Sequence, residues 1–334
     1  NLDGIYAKRT PNPYGQADIW RNLMGYNKAI DKIYNEDGTY TALDVHPIVY
    51  LDKRSGYTNQ YNNTINAQVY LDWNIPWIKG LSTKLTGNSN YQSYDRKYFK
   101  SRAPQYSNAI LVGDDRPREL EMNRSWTRGN TVELGLNYAQ EFDSHFIEAQ
   151  GIYSYYDEYN EWFNASRIGF ISNDFDQLSS GDASTKDNSG GAGERTRIGY
   201  VGRLRYSFAN KYFLEGNFRY DGSDNFAKNK RWGFFPSGAA AWAISEENFM
   251  KPLIDNNWID FAKVRVSYGV VGLEDGVARF GYIPVYNYNS QSTVVGGKFV
   301  PGFSEGNLVS PDILSWYTKN IFDIGADLVF LNNA

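Results

Sequence analysis

Residues 211–221 read KYFLEGNFRYD, and the apolar or small residues fall on every second position. Tyr212, Leu214, Gly216, Phe218 and Tyr220 share one face; Phe213, Glu215, Asn217, Arg219 and Asp221 share the other. Successive side chains of a strand point to opposite faces, so this segment is a strand with one apolar and one polar side. The period recurs along the chain. Ile65, Ala67, Val69, Leu71 and Trp73 oppose Asn66, Gln68, Tyr70 and Asp72. Leu81, Thr83, Leu85 and Gly87 form the next apolar set, then Val132, Leu134, Leu136 and Tyr138, then Ile147, Ala149, Gly151 and Tyr153. Tyr200, Gly202, Leu204 and Tyr206 oppose Arg203, Arg205 and Ser207. Further strands are predicted from Trp232 to Trp242, across Val264–Tyr268, and where Phe322, Ile324, Ala326 and Leu328 oppose Asp323 and Asp327.

About nine strands result, each near the ~9–11 residues that cross a tilted barrel wall. Their connections alternate. Asn74–Gly80, Phe142–His145 and Ala209-Asn210 are short, whereas Gln92–Ser125, Asp157–Glu194, Gly222–Arg231 and Gly272–Ser315 are long. Short turns on one side and long loops on the other are the pattern of an outer-membrane barrel. The fold class expected is therefore all-β, an antiparallel up-and-down transmembrane β-barrel with long extracellular loops. Ser245–Asp260 is a longer link read as holding a small helix around Glu246–Met250. Residues 1–61 read mostly as loop, with a short helix at Ile19–Ile30. The stretch SSGDASTKDNSGGAG (179–193) reads as mobile.

Composition narrows the classes. No apolar run approaches the ~20 residues of a membrane helix, which leaves a barrel open, since barrel strands are only half apolar. Aromatics reach 16%, with 27 Tyr against 3 Met, as pleated surfaces and membrane boundaries favour. With 34 basic and 38 acidic residues the net charge is −4, which speaks against nucleic acid as a partner. The absence of Cys excludes disulfides, thiolate nucleophiles and zinc–sulfur sites, and the two His, His46 and His145, lie far apart in sequence. Composition alone also permits a secreted soluble β-protein that binds or cleaves glycans, whose apolar faces would pack against each other, or a passive porin-like channel.

One long stretch carries a family resemblance. RYDGSDNFAKNKRWGFFPSGAAAWAISEENFM (219–250), followed by KVRVSYGVVG (263–272), resembles the barrel of SusC/RagA-type TonB-dependent outer-membrane transporters. That pattern is a strand ending in Arg-x-Asp-Gly-Ser, a polar loop ending in Arg-Trp-Gly-x-Phe-Pro-Ser, a small-residue strand with a Trp, and Ile-Ser-Glu-Glu-x-Phe-Met. Tyr220 stands where the family usually has a second Arg. The turn IPWIKGL (75–81) matches too, and His46-Pro47-Ile48 stands where Asn-Pro-Leu is common. The resemblance implies import of oligosaccharides, or peptides, across the bacterial outer membrane. It implies a SusD-like surface lipoprotein as partner, outer-membrane lipid around the wall, and energy from TonB through a plug domain. About 22 strands enclose such a plugged lumen, so residues 1–334 are expected to be the central part of one barrel, with the plug and the C-terminal strands outside this chain.

Chemistry-bearing motifs are sparse. The sequence holds no HExxH, P-loop, GxSxG or dinucleotide fingerprint, hence no cofactor is implied. The acidic pairs Asp114/Asp115, Asp157/Glu158, Asp174/Asp176 and Glu246/Glu247 read as solvated charge rather than a glycosidase pair. Gly272–Gly276 and Ser172–Asp182 fit no EF-hand spacing. The substrate-binding candidates are Tyr155, Tyr156, Tyr159, Trp162 and Phe163, which leave a strand and enter a loop, and the polar-face Arg203, Arg205 and Arg219, with Arg231. Flat rings stack on sugar faces. The competing reading of the rings is a membrane-interface girdle, and that of the arginines is ion pairing within the wall, for instance with Glu215. Arg265 belongs with them as a residue facing a plug or a substrate path.

Overall fold

The computed structural model describes residues 5–10, 20, 21, 24, 31–43, 46, 48–101, 103–112, 117–256, 258–274, 279–306 and 314–330. In chain order the strands are β1 (Ile5–Thr10), β2 (Gly56–Asn74), β3 (Leu81–Lys100), β4 (Gln105–Ser107), β5 (Ile110–Val112), β6 (Glu119–Phe142) and β7 (His145–Ile168). They continue with β8 (Asp187–Phe208), β9 (Tyr212–Ser223), β10 (Trp232–Ala243), β11 (Phe261–Leu273), β12 (Tyr286–Val295), β13 (Lys298–Glu305) and β14 (Tyr317–Val329). One sheet has the order β1-β2-β3-β6-β7-β8-β9-β10-β11-β14. β4–β5 and β12–β13 are separate hairpins inside long connections. The nine strands expected from the sequence are all present, each beside its chain neighbour, and β1 adds a tenth within the segment read as loop. The expected helix at Ile19–Ile30 lies for the most part outside the described residues.

Four sequence expectations need correction. β3 runs on to Lys100 and β6 starts at Glu119, so much of Gln92–Ser125 is strand. β7 extends to Ile168 and β8 begins at Asp187, so Tyr159, Trp162 and Phe163 sit on a strand and not in a loop. The Gly-rich stretch read as mobile divides between two short 3-10 turns and the first residues of β8. The physical reason is common to these three. Alternation is imposed only where one face meets an apolar medium along its length; beyond it most positions are wet on both faces, and cross-strand hydrogen bonds with isolated buried residues such as Phe99 and Leu120 hold the strand. The fourth is small: the helix in the Ser245–Asp260 link is α1 (Lys251–Asp255), with Pro252 in its first turn, and 244–250 forms two 3-10 turns.

Two compact units divide the chain, with boundaries that fall inside β2, β3, β6, β7 and β8. One unit comprises 1–67, 89–129 and 158–194. Its hydrophobic cluster is Phe99, Leu120 and Phe170, at 1%, 0% and 3% exposure, with Tyr57 and Leu178 packed against it. Phe99 meets Phe170 edge-on at 5.5 Å and Tyr57 in a stack at 6.1 Å. Asn173 ties three segments together: its amide nitrogen donates to the Arg54 carbonyl, and its oxygen accepts from Ser101 Oγ and Arg118 Nε.

The same unit holds a charged clasp. Asp52 accepts from the Tyr40 hydroxyl at 2.8 Å, the Arg54 guanidinium at 2.7 Å and the Arg54 backbone N–H at 2.8 Å. The Arg54 side chain, helped by that N–H and by Tyr40, holds the Asp52 carboxyl down to about 2. A carboxylate whose folded pKa is depressed contributes stability that is present above its unfolded pKa, and that is lost as pH falls through the folded value. Protection of 48–56 against hydrogen exchange, corrected for intrinsic rate, is therefore expected to hold from neutral pH to about pH 4 and to fall toward pH 2. Asp52→Asn is expected to show the weakened protection already at pH 7, with the acid step gone. An unchanged acid step in Asp52→Asn would contradict the assignment.

The other unit comprises 68–88, 130–157 and 195–334, and its packing is inside out relative to a soluble sheet. The apolar faces of the strands are the exposed ones: Leu204, Leu214 and Ile324 are 55%, 56% and 80% exposed. Register places Leu204, Gly216, Gly238, Tyr268 and Phe322 in one row across β8–β9–β10–β11–β14. The neighbouring row on the opposite face is Arg205, Glu215, Ala239, Ser267 and Asp323. Aromatic rings bound the apolar band. At one level Tyr153, Tyr200, Tyr220 and Trp232 follow one another at 5.4, 6.5 and 4.8 Å. At the other, His145, Phe208 and Tyr212 follow at 4.8 and 6.4 Å, and Trp242 meets Phe249 at 6.4 Å. Eight residues separate Tyr212 from Tyr220, roughly 27 Å along a strand and ~20 Å along the normal of a wall tilted ~40°. An apolar band with two aromatic girdles at about that spacing is the outer surface of a membrane barrel. Trp73 and Trp77 meet edge-on at 5.7 Å at the 74–80 turn. Gly80 in that turn has φ +82°, and a Cβ there would strike the Ala139 carbonyl, so only glycine fits.

Candidate functional site

The polar face of β7–β11 and β14 gathers charge in two places. The first is a belt. Arg203 donates to Glu215 at 2.9 Å, Arg205 to Glu148 at 2.8 Å, and Asn217 to the other Glu215 oxygen at 2.9 Å. Arg265 pairs with Asp327 at 3.3 Å on the neighbouring strand, and the Lys263 ammonium lies 4.3 Å from the centre of the Phe213 ring. Ala239, Ala241 and Gly325 leave a recess of about 840 Å³ between these groups. Each pair is partly hydrated and is worth only ~0–1 kcal/mol. Their combined effect is a wet wall carrying both signs of charge, suited to a hydrophilic passage.

A second recess of about 490 Å³ lies at the level of the Tyr220–Trp232 girdle, lined by Tyr156, Arg195, Arg197, Arg219, Glu274 and Trp316 among others. Arg219 grips Asp221 with two hydrogen bonds of 3.0 and 3.1 Å, and Arg197 is ion-paired with the buried Glu274. Arg195 meets no carboxylate among the described residues, and its Nε is buried without an acceptor. Trp316 is fixed by Phe226 and Phe235 at 5.2 and 5.3 Å and by donating its Nε1 proton to the Arg231 carbonyl at 3.0 Å.

The candidates separate accordingly. Tyr156 and Arg219 come together in the second recess; Arg203 and Arg205 belong to the belt. Tyr155 and Tyr159 share the outward parity of Tyr153 on β7. Tyr159 lies 5.1 Å from Trp126 in a tilted pair, and Trp126 stacks on Tyr91 at 6.2 Å. Trp162 and Phe163, each 45% exposed, border a shallow depression beside Tyr94, Arg96 and Asn123. Arg231 contributes its carbonyl rather than its guanidinium to the contacts described. Sequence reading missed Arg195, Arg197 and Trp316. The two arginines continue the polar parity of Arg203 and Arg205, which was a usable signal; Trp316 reaches the recess through tertiary packing and left none.

The acidic pairs have structural partners. Asp157 accepts from Asn130, Asp176 meets Tyr57 and Lys97, and Glu247 accepts from Tyr212 and Trp242. Asp114/Asp115 lies outside the described residues. Among the described residues no cluster of three His, Asp or Glu is placed to hold a metal. Gly272–Gly276 is only partly described, and in Ser172–Asp182 the carboxylates of Asp174 and Asp182 meet serines within their own turns.

A sheet whose apolar face is bare between two aromatic girdles, and whose other face is charged and wet, defines a segment of transmembrane β-barrel wall. The family model described as TonB dependent receptor-like, beta-barrel, matches residues 5–333, and the chain belongs to that family. A TonB-dependent receptor P3 of Formosa agariphila is 30% identical over 99% of this chain and 32% of its own length. The TonB-dependent receptor SusC of Bacteroides thetaiotaomicron is 34% identical over 45% of this chain and 15% of its own length. The structure of a RagAB peptide importer in a closed-closed state superposes with TM-score 0.72 at 18% identity, covering 90% of this chain and 32% of that one. The chain thus spans about a third, or less, of the proteins it matches.

Proposed function

We propose that this chain forms barrel wall and long outer loops of a SusC-type active transporter in the bacterial outer membrane. The cargo is an oligosaccharide or a peptide, a SusD-like surface lipoprotein is the partner, and TonB supplies energy through a plug domain. No bond is made or broken on the wall; its residues guide and hold cargo. The observation that carries this reading is the pairing of a bare apolar face with a charged, recessed inner face over β7–β11 and β14. Within that reading the candidates Tyr156, Arg203, Arg205 and Arg219 face the passage, Trp162 and Phe163 border the loop-side depression, Tyr155 serves the girdle, and Tyr159 belongs to the ring row of Trp126 and Tyr91. The soluble glycan-binding alternative requires apolar faces packed against each other, whereas here they are the exposed ones.

The full-length protein, extracted from outer membranes in detergent and identified by mass spectrometry with whatever accompanies it, tests the proposal. A SusD-like lipoprotein in near-equal amount is the expected result. Recovery in the aqueous fraction without such a partner would overturn it.

A further inference from the structure

We infer that the recess of Arg195, Arg197 and Arg219 is a binding site for a carboxylate carried by the cargo, an inference that rests on the transporter reading. The charge balance carries it. Three guanidinium groups and two carboxylates, Asp221 and Glu274, line the recess. Asp221 is held by two hydrogen bonds from Arg219, and Glu274 is ion-paired with Arg197, with neither of its buried oxygens receiving a hydrogen bond. Arg195 is left with no counter-charge among the described residues, and its Nε is shielded from water without an acceptor. Other arginines of the wall also carry a buried Nε without an acceptor. Arg195 differs from Arg197 and Arg203 in lacking a counter-charge among the described residues; a planar oxyanion would supply one together with acceptors for its fork of donors.

The geometry around it fits a ligand rather than a stray ion. The recess holds about 490 Å³, several times the volume of a carboxylate group. Tyr156 and Trp316 offer flat walls, the latter held in place by Phe226, Phe235 and the Arg231 carbonyl. Ser154 also lines the recess, its hydroxyl donating to Glu133 at 3.3 Å. The site lies on the polar face at one girdle, where cargo passes between loop and lumen in the proposed function. Aromatic walls around a fixed cation recognise a carboxylate on a compact body, which a sugar acid and an acidic peptide can both present.

Calorimetric titration of the purified full-length protein tests this. The probes are a galacturonic acid oligomer, a neutral galactose oligomer of equal length, and a glutamate-rich peptide with its Gln counterpart. Wild type is expected to prefer at least one acidic probe over its neutral counterpart, in a salt-sensitive way. Whichever acidic probe binds identifies the source of the carboxylate. Arg195→Gln is expected to weaken the acidic probe about tenfold or more and to leave the neutral one unchanged; Arg195→Lys retains charge without the fork and should fall between. Removing Arg195 orphans no buried acid, so folding is expected to persist, checked by heat-modifiable mobility. Arg195→Lys serves as the reporter should the Gln variant fail that check. Equal binding of acidic and neutral probes by wild type, no binding of either acidic probe, or wild-type selectivity in the Arg195 variants would overturn the inference. Co-purification of the lipoprotein is a separate readout: its loss strikes the transporter reading, whereas its retention beside unselective binding strikes only this site.

Discussion

Leu204→Arg is expected to destabilise the inserted protein by about 2–4 kcal/mol, the cost of a cation at the lipid face near the bilayer midplane. The position follows from register. Leu204 pairs with Gly216, midway between the Tyr212 and Tyr220 levels of the two girdles, and its side chain is 55% exposed on the apolar face. The row that Leu204 joins continues through Gly216, Gly238, Tyr268 and Phe322, none of which carries a charge to pair with a guanidinium. Ser267→Arg places the same cation at nearly the same level on the other face, directly opposite Asp323. Its expected cost is within ~1 kcal/mol, as for a hydrated surface pair. Folding of both variants into lipid vesicles, followed by heat-modifiable mobility across a urea series, gives the comparison. Two equal costs would contradict the assignment of faces.

The second large effect has the opposite origin. Phe99→Ala removes a ring that is 1% exposed and touches Phe170 and Tyr57, in a cluster completed by Leu120. Truncating a buried Phe costs about 3–5 kcal/mol, because transfer energy and a cavity add. Here the loss is local. The cluster lies in the unit built from 1–67, 89–129 and 158–194, where Asn173 and Arg118 hold the 169–186 connection against neighbouring backbone. Hydrogen exchange is expected to rise across 169–186 and around 53–57, while insertion into vesicles stays as in wild type. Loss of insertion, or unchanged exchange, would contradict it. The two substitutions together separate the two ways this chain uses apolar residues: packed inward in one unit, presented outward in the other.

How far the sequence reveals this depends on the solvent. Where one face of a strand meets lipid, every second residue is constrained, and eight of the nine strands were legible from that period, down to Tyr212 and Tyr220 as members of one face; the ninth, Trp232–Trp242, was legible as an aromatic run giving way to small residues. Beyond the apolar band the constraint lapses. The continuation of β7 through Tyr159, Trp162 and Phe163, and the start of β8 in Asp187–Gly193, carry no alternation to read, because both faces there are wet. The belt of Arg203, Arg205 and Glu215 was visible as parity, and pairing within the wall was weighed for it. Glu148 as the partner of Arg205 was not visible, since cross-strand register is a property of paired strands rather than of one segment. Trp316 was hidden for the same reason: its place beside Arg197 and Arg219 depends on the return of β14 beside β11.

The central claim is that even-numbered residues of β9 face lipid and odd-numbered ones face water. The 334 residues contain no cysteine; with any cysteine elsewhere in the full-length protein replaced by serine, single cysteines from 212 to 221, each spin-labelled in vesicles, can be compared for collision with oxygen and with a water-soluble nickel chelate. The account predicts a period of two: high oxygen and low nickel access at Leu214 and Phe218, and the reverse at Glu215 and Asn217. Uniform access along the strand, or shielding of the even positions from both reagents as in a packed soluble core, would contradict it.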